Sequence, residues 1–466
     1  MKVLKFGGTS VKNAENISKV IDIVRSEIAR EEVLVVVSAF GGITNLLIET
    51  ATKAAAGDET YKMLFNQISD AHAQVIEQML SGDVRTECEA YIVEQLSNFK
   101  DILHGLFLLR ELSVRSLDLV SSFGERLSAY IIAQAFTAKG IPAQYLDARD
   151  VIKTDKTFGA AKVNFDKTNE LISSKVITSN ILWIATGFIA STEDDETITL
   201  GRGGSDYSGA IFARALHASI LEIWTDVDGM MTADPRKVKK AYPISHITYS
   251  EAMELSHFGA KVLEPRTVIP AMAIGIPVLI KNTFNPSAPG TLITAELGNT
   301  AHRVQGISSI DDISLITVQG SGMIGEAGIS MRLFRAIAKD AINVILITQG
   351  SSEHSITFAV LPKDAVRAVE LLRQEFELEI KTNLIDDIKA EHNLAIVSAV
   401  GEHMKNIPGV SGRFFNALGI NGINVHAIAQ GASELNISAV ITGTDTRKAL
   451  NALHESFFLS NTKTIN

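Results

Sequence analysis

The chain reads as an α/β protein: an open, mostly parallel sheet sandwiched by helices, followed by two smaller α+β modules of βαββ type. Three observations predict this. Short apolar runs alternate with segments of helical period through about residue 295, and several of these runs are apolar on both faces, as in a sheet covered on both sides. The stretch Asn282–Gly290, with two prolines and a glycine, then breaks the rhythm. Past it the sequence repeats: residues 313–360 laid over 394–441 at a constant offset of 81 give 16 identities in 48 positions, far more than chance supplies.

In chain order, strands are expected at Val3–Phe6, Val33–Ala39, Ala143–Leu146, Ile181–Phe188, Leu221–Thr225 and Pro277–Ile280. Residues 53–112 turn polar and helical, with runs at Tyr61–Met79 and Glu87–Leu109, and read as a helical insertion within a first domain of residues 1–295. Each repeat then reads strand, glycine-bearing loop, amphipathic helix, Ile-Asn-Val strand, Gln-Gly turn and strand, which places the modules at 310–385 and 390–458. Gly320–Gly325 spells GxGxxG, yet its repeat partner keeps only the first glycine, as Gly401, and no acid follows at the spacing a dinucleotide ribose requires.

Composition narrows the function classes. With 466 residues, 46% hydrophobic and 21% charged, the chain has the make-up of an ordinary globular protein of about three domains. A formal net charge of −10 gives no bulk attraction to nucleic acid or to an anionic membrane, so an anionic ligand has to be held by local cations. Cys88 stands alone, which excludes an internal disulfide framework and any CxxC metal cluster, and it points to a reducing compartment, with cytoplasm the default. No apolar run approaches the ~20 residues that span a bilayer.

Five segments carry groups suited to chemistry. Lys5-Phe6-Gly7-Gly8-Thr9-Ser10 leaves the first strand in a glycine turn, where backbone N–H groups come close to a phosphate and a lysine adds mobile charge. Ser38–Thr44 forms a similar turn after the second strand, and in open α/β sheets ligands bind at such carboxyl ends. The richest segment, Thr199–Ser208, combines three glycines, Arg202, Ser205 and Asp206, a set suited to gripping a small acid or phosphate. Trp224–Gly229 with Asp234–Lys237 places acids and bases after another strand. Ser122-Phe123-Gly124-Glu125-Arg126 is read as opening a helix, which would put Glu125 near a positive helix end.

Together, Lys5–Ser10, Ser122–Arg126, Gly201–Asp206, Thr225–Asp226 with Asp234–Arg236, and Phe258–Leu263 closely resemble aspartokinase, of the amino-acid kinase superfamily, over essentially the whole chain. The repeats resemble that family's tandem ACT domains, and Ile280–Thr283 with Ala288–Thr291 is most similar to the aspartokinase part of bifunctional aspartokinase/homoserine dehydrogenases. The resemblance implies ATP and Mg²⁺ as cofactors and L-aspartate as substrate, with no metal site built from the protein's own side chains. It implies that Lys5 and Asp206 are catalytic, and that Thr44, Glu125, Arg202 and Ser205 hold aspartate. Lys5, Gly7, Gly8, Ser10, Thr225, Asp226, Arg236 and Lys261 would serve the nucleotide, and Gln349 and Gln430 an amino-acid effector, threonine first and lysine second. A homo-oligomer built through the ACT modules is expected, and a non-catalytic amino-acid sensor is the alternative. Glu264 stands where the family usually has histidine, and is expected to add negative charge beside the nucleotide.

Overall fold

The computed structural model describes residues 1–176, 181–257, 262–296, 303–350 and 354–459. The chain forms two compact units, the first of residues 1–230, 243–249 and 262–298, the second of residues 231–242, 250–261 and 299–466.

The first unit is built on an eight-stranded sheet in the order Ala143–Leu146, Leu182–Thr186, Val33–Val37, Lys2–Phe6, Ile220–Thr225, Val278–Asn282, Thr291–Thr294 and His246–Thr248. All neighbours run parallel except Val278–Asn282 with Thr291–Thr294. The central strands are apolar on both faces because both faces are covered; every residue of Val33–Val37 is buried. From Lys2–Phe6 the chain continues to a strand on one side, and the strand on its other side comes much later in the sequence, so the order reverses here and leaves a crevice at the carboxyl ends. A second sheet of Lys153–Thr154, Ile189–Thr192 and Thr197–Thr199 lies in the same unit.

The helical insertion consists of helices Tyr61–Met79 and Gly82–Leu109, which pack on helices Ile43–Ala55 and Val114–Ala138. Its reach toward the crevice is concrete: His72 is fully buried and stacks on Phe40, with ring centroids 5.1 Å apart. Burial brings the His72 imidazole down to about 4, so this ring packs as a neutral group near pH 7.

The second unit explains the repeat. A six-stranded sheet runs Leu346–Gln349, Ser355–Val360, Gly306–Gln319, Lys389–Val400, Asn436–Thr442 and Val425–Ala429. Its two long central strands are each shared. Residues 313–317 pair with 389–394, and residues 306–310 pair with 396–400, with a register shift between. Each module therefore borrows its fourth strand from the other's long strand, and the second module's comes from ahead of the first in sequence. With helix Pro362–Glu375 the first module reads βαββαβ, and with helix Thr446–His454 the second reads βαββα, its remaining strand coming from residues 306–310 upstream. A core of Ile313, Leu315, Leu346, Leu394, Ile396 and Val440 joins the two modules.

The decoy glycines belong to this exchange. A Cβ on Gly320 would lie 2.3 Å from the Leu384 carbonyl oxygen, and one on Gly401 2.3 Å from that of Arg303. Both carbonyls sit just ahead of a borrowed strand, so the shared glycine is needed for room where that strand enters.

Residues 231–242 dock on the second module: Thr232 accepts from the Ile307 N–H, and Lys237 Nζ donates to Ser309 Oγ at 2.9 Å. Thr232 Oγ1 also lies 3.0 Å from His454 Nε2.

Leu394 is 2% exposed in the joining core. Leu394→Ala is expected to cost about 2–5 kcal/mol by transfer and cavity terms, read as a lower urea midpoint. A shift worth less than about 1 kcal/mol would show that the two modules do not depend on this core.

Candidate active site

The crevice beside the central strand is an open cleft of about 690 Å³. Lys5 enters it from the strand, in register with Val36 on one side and Ile223 on the other. Its side chain is 9% exposed and its Nζ lies 2.5 Å from Asp206 Oδ1, an ion pair that offsets the cost of burying the ammonium. Asp206 occupies the first turn of helix Gly204–Ala215, whose N-cap, Gly203, has φ +71°. Gly209 lets that helix lie directly on the strand, since a Cβ there would sit 3.2 Å from Lys5 Cβ.

Three turns converge on this pair. The Gly7 N–H donates to the Trp224 carbonyl at 3.0 Å, and Ser10 and Val11 donate back to the Gly7 carbonyl, which closes the first turn. Gly8 packs on the Ala39 carbonyl, where a Cβ would sit at 3.1 Å. The second turn, Ser38–Gly42, ends in Gly42 at φ +89°, which caps helix Ile43–Ala55 and sets Thr44 in its first turn. The third, Gly201–Gly203, carries Arg202.

Glu125 corrects the expected helix start. The helix runs Val114–Ala138 and is capped by Ser113, whose hydroxyl accepts from the Ser116 N–H, so Glu125 lies in mid-helix and no macrodipole complement explains it. Gly124 is what brings it to the cleft: a Cβ there would be 2.8 Å from Ala39 Cβ, so only glycine lets the helix press on the second turn. Glu125 is 3% exposed and its Oε2 has no hydrogen-bond partner. Burial pushes its carboxyl up to about 8, while the Ala39 N–H and the Lys5 ammonium pull weakly the other way.

Of the residues singled out from sequence, Lys5, Gly8, Thr44, Glu125, Arg202, Ser205 and Asp206 all line this one cleft, and Gly7 adjoins Lys5. Ser10 does not reach it; its hydroxyl is buried against Thr283 Oγ1 at 2.7 Å and the Trp224 carbonyl. Thr225 ends strand Ile220–Thr225, and its hydroxyl donates to Asp226 Oδ1 at 3.2 Å. Arg236 belongs to the second unit and is paired with Asp234. Gln349 and Gln430 are exposed there at the ends of the two outer strands. Lys261 lies outside the described residues. Glu264 is paired with Arg202, Oε2 to Nε 3.5 Å, and so acts on this cleft's own cation.

Sequence reasoning missed two residues here. Asp118, 3% exposed in the cleft lining, accepts from the Gly159 N–H at 2.8 Å and from Thr199 Oγ1 at 2.6 Å, tying the Gly159 loop to the end of strand Thr197–Thr199 just ahead of Arg202. Phe188 adopts φ +66°, a strained conformation for a bulky residue, held by its N–H to Ser208 Oγ and by contact with the Gly204 turn. The signal for the second was the Thr186-Gly187-Phe188 step that ends a strand.

With this geometry in place, comparison with known proteins is decisive. Residues 1–282 match the model of the amino acid kinase family, and residues 316–376 and 397–457 each match an ACT domain. The chain belongs to the amino acid kinase family. Within it the likeness is to aspartokinases. Escherichia coli aspartokinase III in complex with aspartate and ADP (R-state) superposes with a TM-score of 0.82 at 31% identity, covering 98% of this chain and 100% of that one. The same enzyme with lysine and aspartate (T-state) gives 0.79 at 32%, covering 98% and 99%. The bifunctional aspartokinase/homoserine dehydrogenase 2 of Arabidopsis thaliana chloroplasts is 39% identical over 99% of this chain, which spans 51% of that protein. The chain thus covers about half the length of that curated relative. Among the described residues no helix is long and apolar enough to cross a membrane.

Glu125 also predicts a pH dependence. The folded carboxyl keeps its proton up to about 8, whereas the unfolded chain releases it near 4.5, so stability falls as pH rises through that window and levels off above it. Glu125→Gln, neutral throughout, is expected to flatten this slope. Urea midpoints at about pH 5 and about pH 8.5 for both proteins measure it, and equal slopes would contradict the assignment.

Proposed function

We propose that the chain transfers the γ-phosphoryl group of ATP to the β-carboxylate of L-aspartate, giving 4-phospho-L-aspartate and ADP, the entry step to lysine, threonine and methionine. The observation that carries this is one cleft holding a buried, paired lysine, an exposed arginine and a buried glutamate that burial keeps protonated, at the switch point of the sheet. The relative solved with aspartate and ADP supports the choice of reactants.

The chemistry fits these groups. The β-carboxylate of aspartate, with a reference pKa near ~3.9, is ionised at neutral pH and needs no general base. Attack by one anion on another needs fixed positive charge, and Lys5, held by Asp206, is preorganised to supply it. Arg202, with Ser205 and Thr44 nearby, grips the α-carboxylate, which leaves the β-carboxylate as the end that reacts. Glu125 receives the substrate ammonium, whose arrival replaces the proton that burial has kept on the carboxyl.

Gly7, Gly8, Ser10, Thr225, Asp226, Arg236 and Lys261 are assigned to the nucleotide on the strength of the family resemblance. Among the described residues no group of three or more His, Cys, Asp or Glu side chains is placed to hold a metal ion. Mg²⁺ arriving with the nucleotide would supply charge neutralisation at its phosphates.

The ACT modules, with Gln349 and Gln430, are proposed to bind an amino-acid effector and to join copies of the chain. Threonine is the first choice, on the paired Gln-Gly turns; lysine is the second, supported by the lysine complex of aspartokinase III.

Trapping the acyl phosphate with hydroxylamine tests the activity: aspartate is expected to give hydroxamate and glutamate not, and no product from aspartate would leave a non-catalytic sensor. Lys5→Ala is expected to lower kcat by about 10²–10³-fold, with thermal melting to separate this from unfolding. Millimolar-scale threonine is expected to inhibit. Unchanged activity with threonine and inhibition by lysine would reverse the order of effectors.

A further inference from the structure

Arg202 is not waiting free for a substrate carboxylate. Its guanidinium Nε lies 3.5 Å from Glu264 Oε2, with the arginine side chain 81% exposed and the glutamate 33%. The pairing is built into the backbone. Glu264 precedes Pro265, which favours its extended conformation, φ −84° and ψ 122°. Its carbonyl accepts from both the Thr267 N–H at 3.0 Å and the Thr267 hydroxyl at 2.6 Å. Its Cβ faces the Arg202 turn so closely that a Cβ on Gly203 would lie 2.8 Å from it.

We propose that Glu264 is a positioning residue that competes with the substrate: its carboxylate occupies Arg202 until the α-carboxylate of aspartate displaces it, which weakens aspartate binding and makes Arg202 discriminate between one carboxylate and another. This rests on the reading of Arg202 as the α-carboxylate clamp. The chemistry is a simple exchange. A guanidinium binds a carboxylate in a forked geometry, and an internal carboxylate on a fixed backbone is present at high local concentration, so a free amino acid has to out-compete it. The pair is solvated, so the competition is modest, and it weakens as salt rises.

Steady-state kinetics and direct aspartate binding on the full chain test this with Glu264→Gln, Arg202→Ala and the double variant. Removing the charge at position 264 is expected to lower KM and Kd for aspartate about two- to fivefold, the size of an exposed ion pair, so that the gain in kcat/KM comes through KM. A merely structural role would raise KM or lower stability. In the Arg202→Ala background the second substitution is expected to have no effect on aspartate affinity. If Arg202→Ala weakens aspartate binding while Glu264→Gln leaves it unchanged or weaker, the competition is overturned and the clamp stands. If Arg202→Ala leaves aspartate affinity unchanged, the clamp reading itself fails, and the inference with it.

Discussion

The arrangement of the first unit follows from one requirement: a lysine ammonium has to be held, charged and nearly dry, at the carboxyl end of the central strand. Asp206 meets it at 2.5 Å. Removing either partner of a buried pair leaves an uncompensated charge at a cost of about 3–5 kcal/mol, so the helix that carries Asp206 cannot drift from the strand that carries Lys5. The surrounding glycines follow from that contact. Gly209 lets the helix touch the strand, Gly203 starts it in a left-handed conformation, and Gly187 makes room for Ser205, whose Cβ would lie 2.8 Å from a Cβ there. Even the strained Phe188 is explained, because it is locked between Ser208 of the same helix and the chain leading to Gly204.

In the second unit the equivalent constraint is the exchange of strands. Two modules of the same ancestry have long central strands that serve both, so neither completes its sheet alone. The 81-residue offset was visible as identities, but the partnership was not, because pairing between residues 306–310 and 396–400 leaves no mark in either repeat considered by itself. Gly320 and Gly401 are the trace it does leave. They look like a broken nucleotide motif in the string and turn out to be the space through which each borrowed strand passes.

How much was legible depended on the range of the interaction. The parallel core strands and helix Tyr61–Met79 could be read directly, because a strand buried on both faces and an amphipathic helix record their surroundings in their own periodicity. The residues of the cleft could be named from motifs, since glycine turns with charges are local. Glu125 was found for the wrong reason: the motif drew attention to it, but its place in mid-helix depends on Ser113 well upstream and on Gly124 packing against Ala39. Asp118 and the Glu264 pairing with Arg202 join segments far apart in the chain, and nothing near either residue announces its partner.

The cleft's carboxylates then divide the work by environment. Asp206 has the Lys5 ammonium at ion-pair distance, 2.5 Å away. Glu125, buried with one oxygen unpartnered, holds a proton to about 8 and so presents a neutral face. Glu264, solvated, faces the exposed Arg202 guanidinium at 3.5 Å, the pair on which the proposed exchange acts. Three acids with nearly the same intrinsic chemistry thus meet three environments around one cleft: a buried ion pair, a buried site with an unpartnered oxygen, and a solvated ion pair. In the proposed reaction, the burial of Glu125 is what lets a site built from common residues tell the substrate ammonium from its two carboxylates.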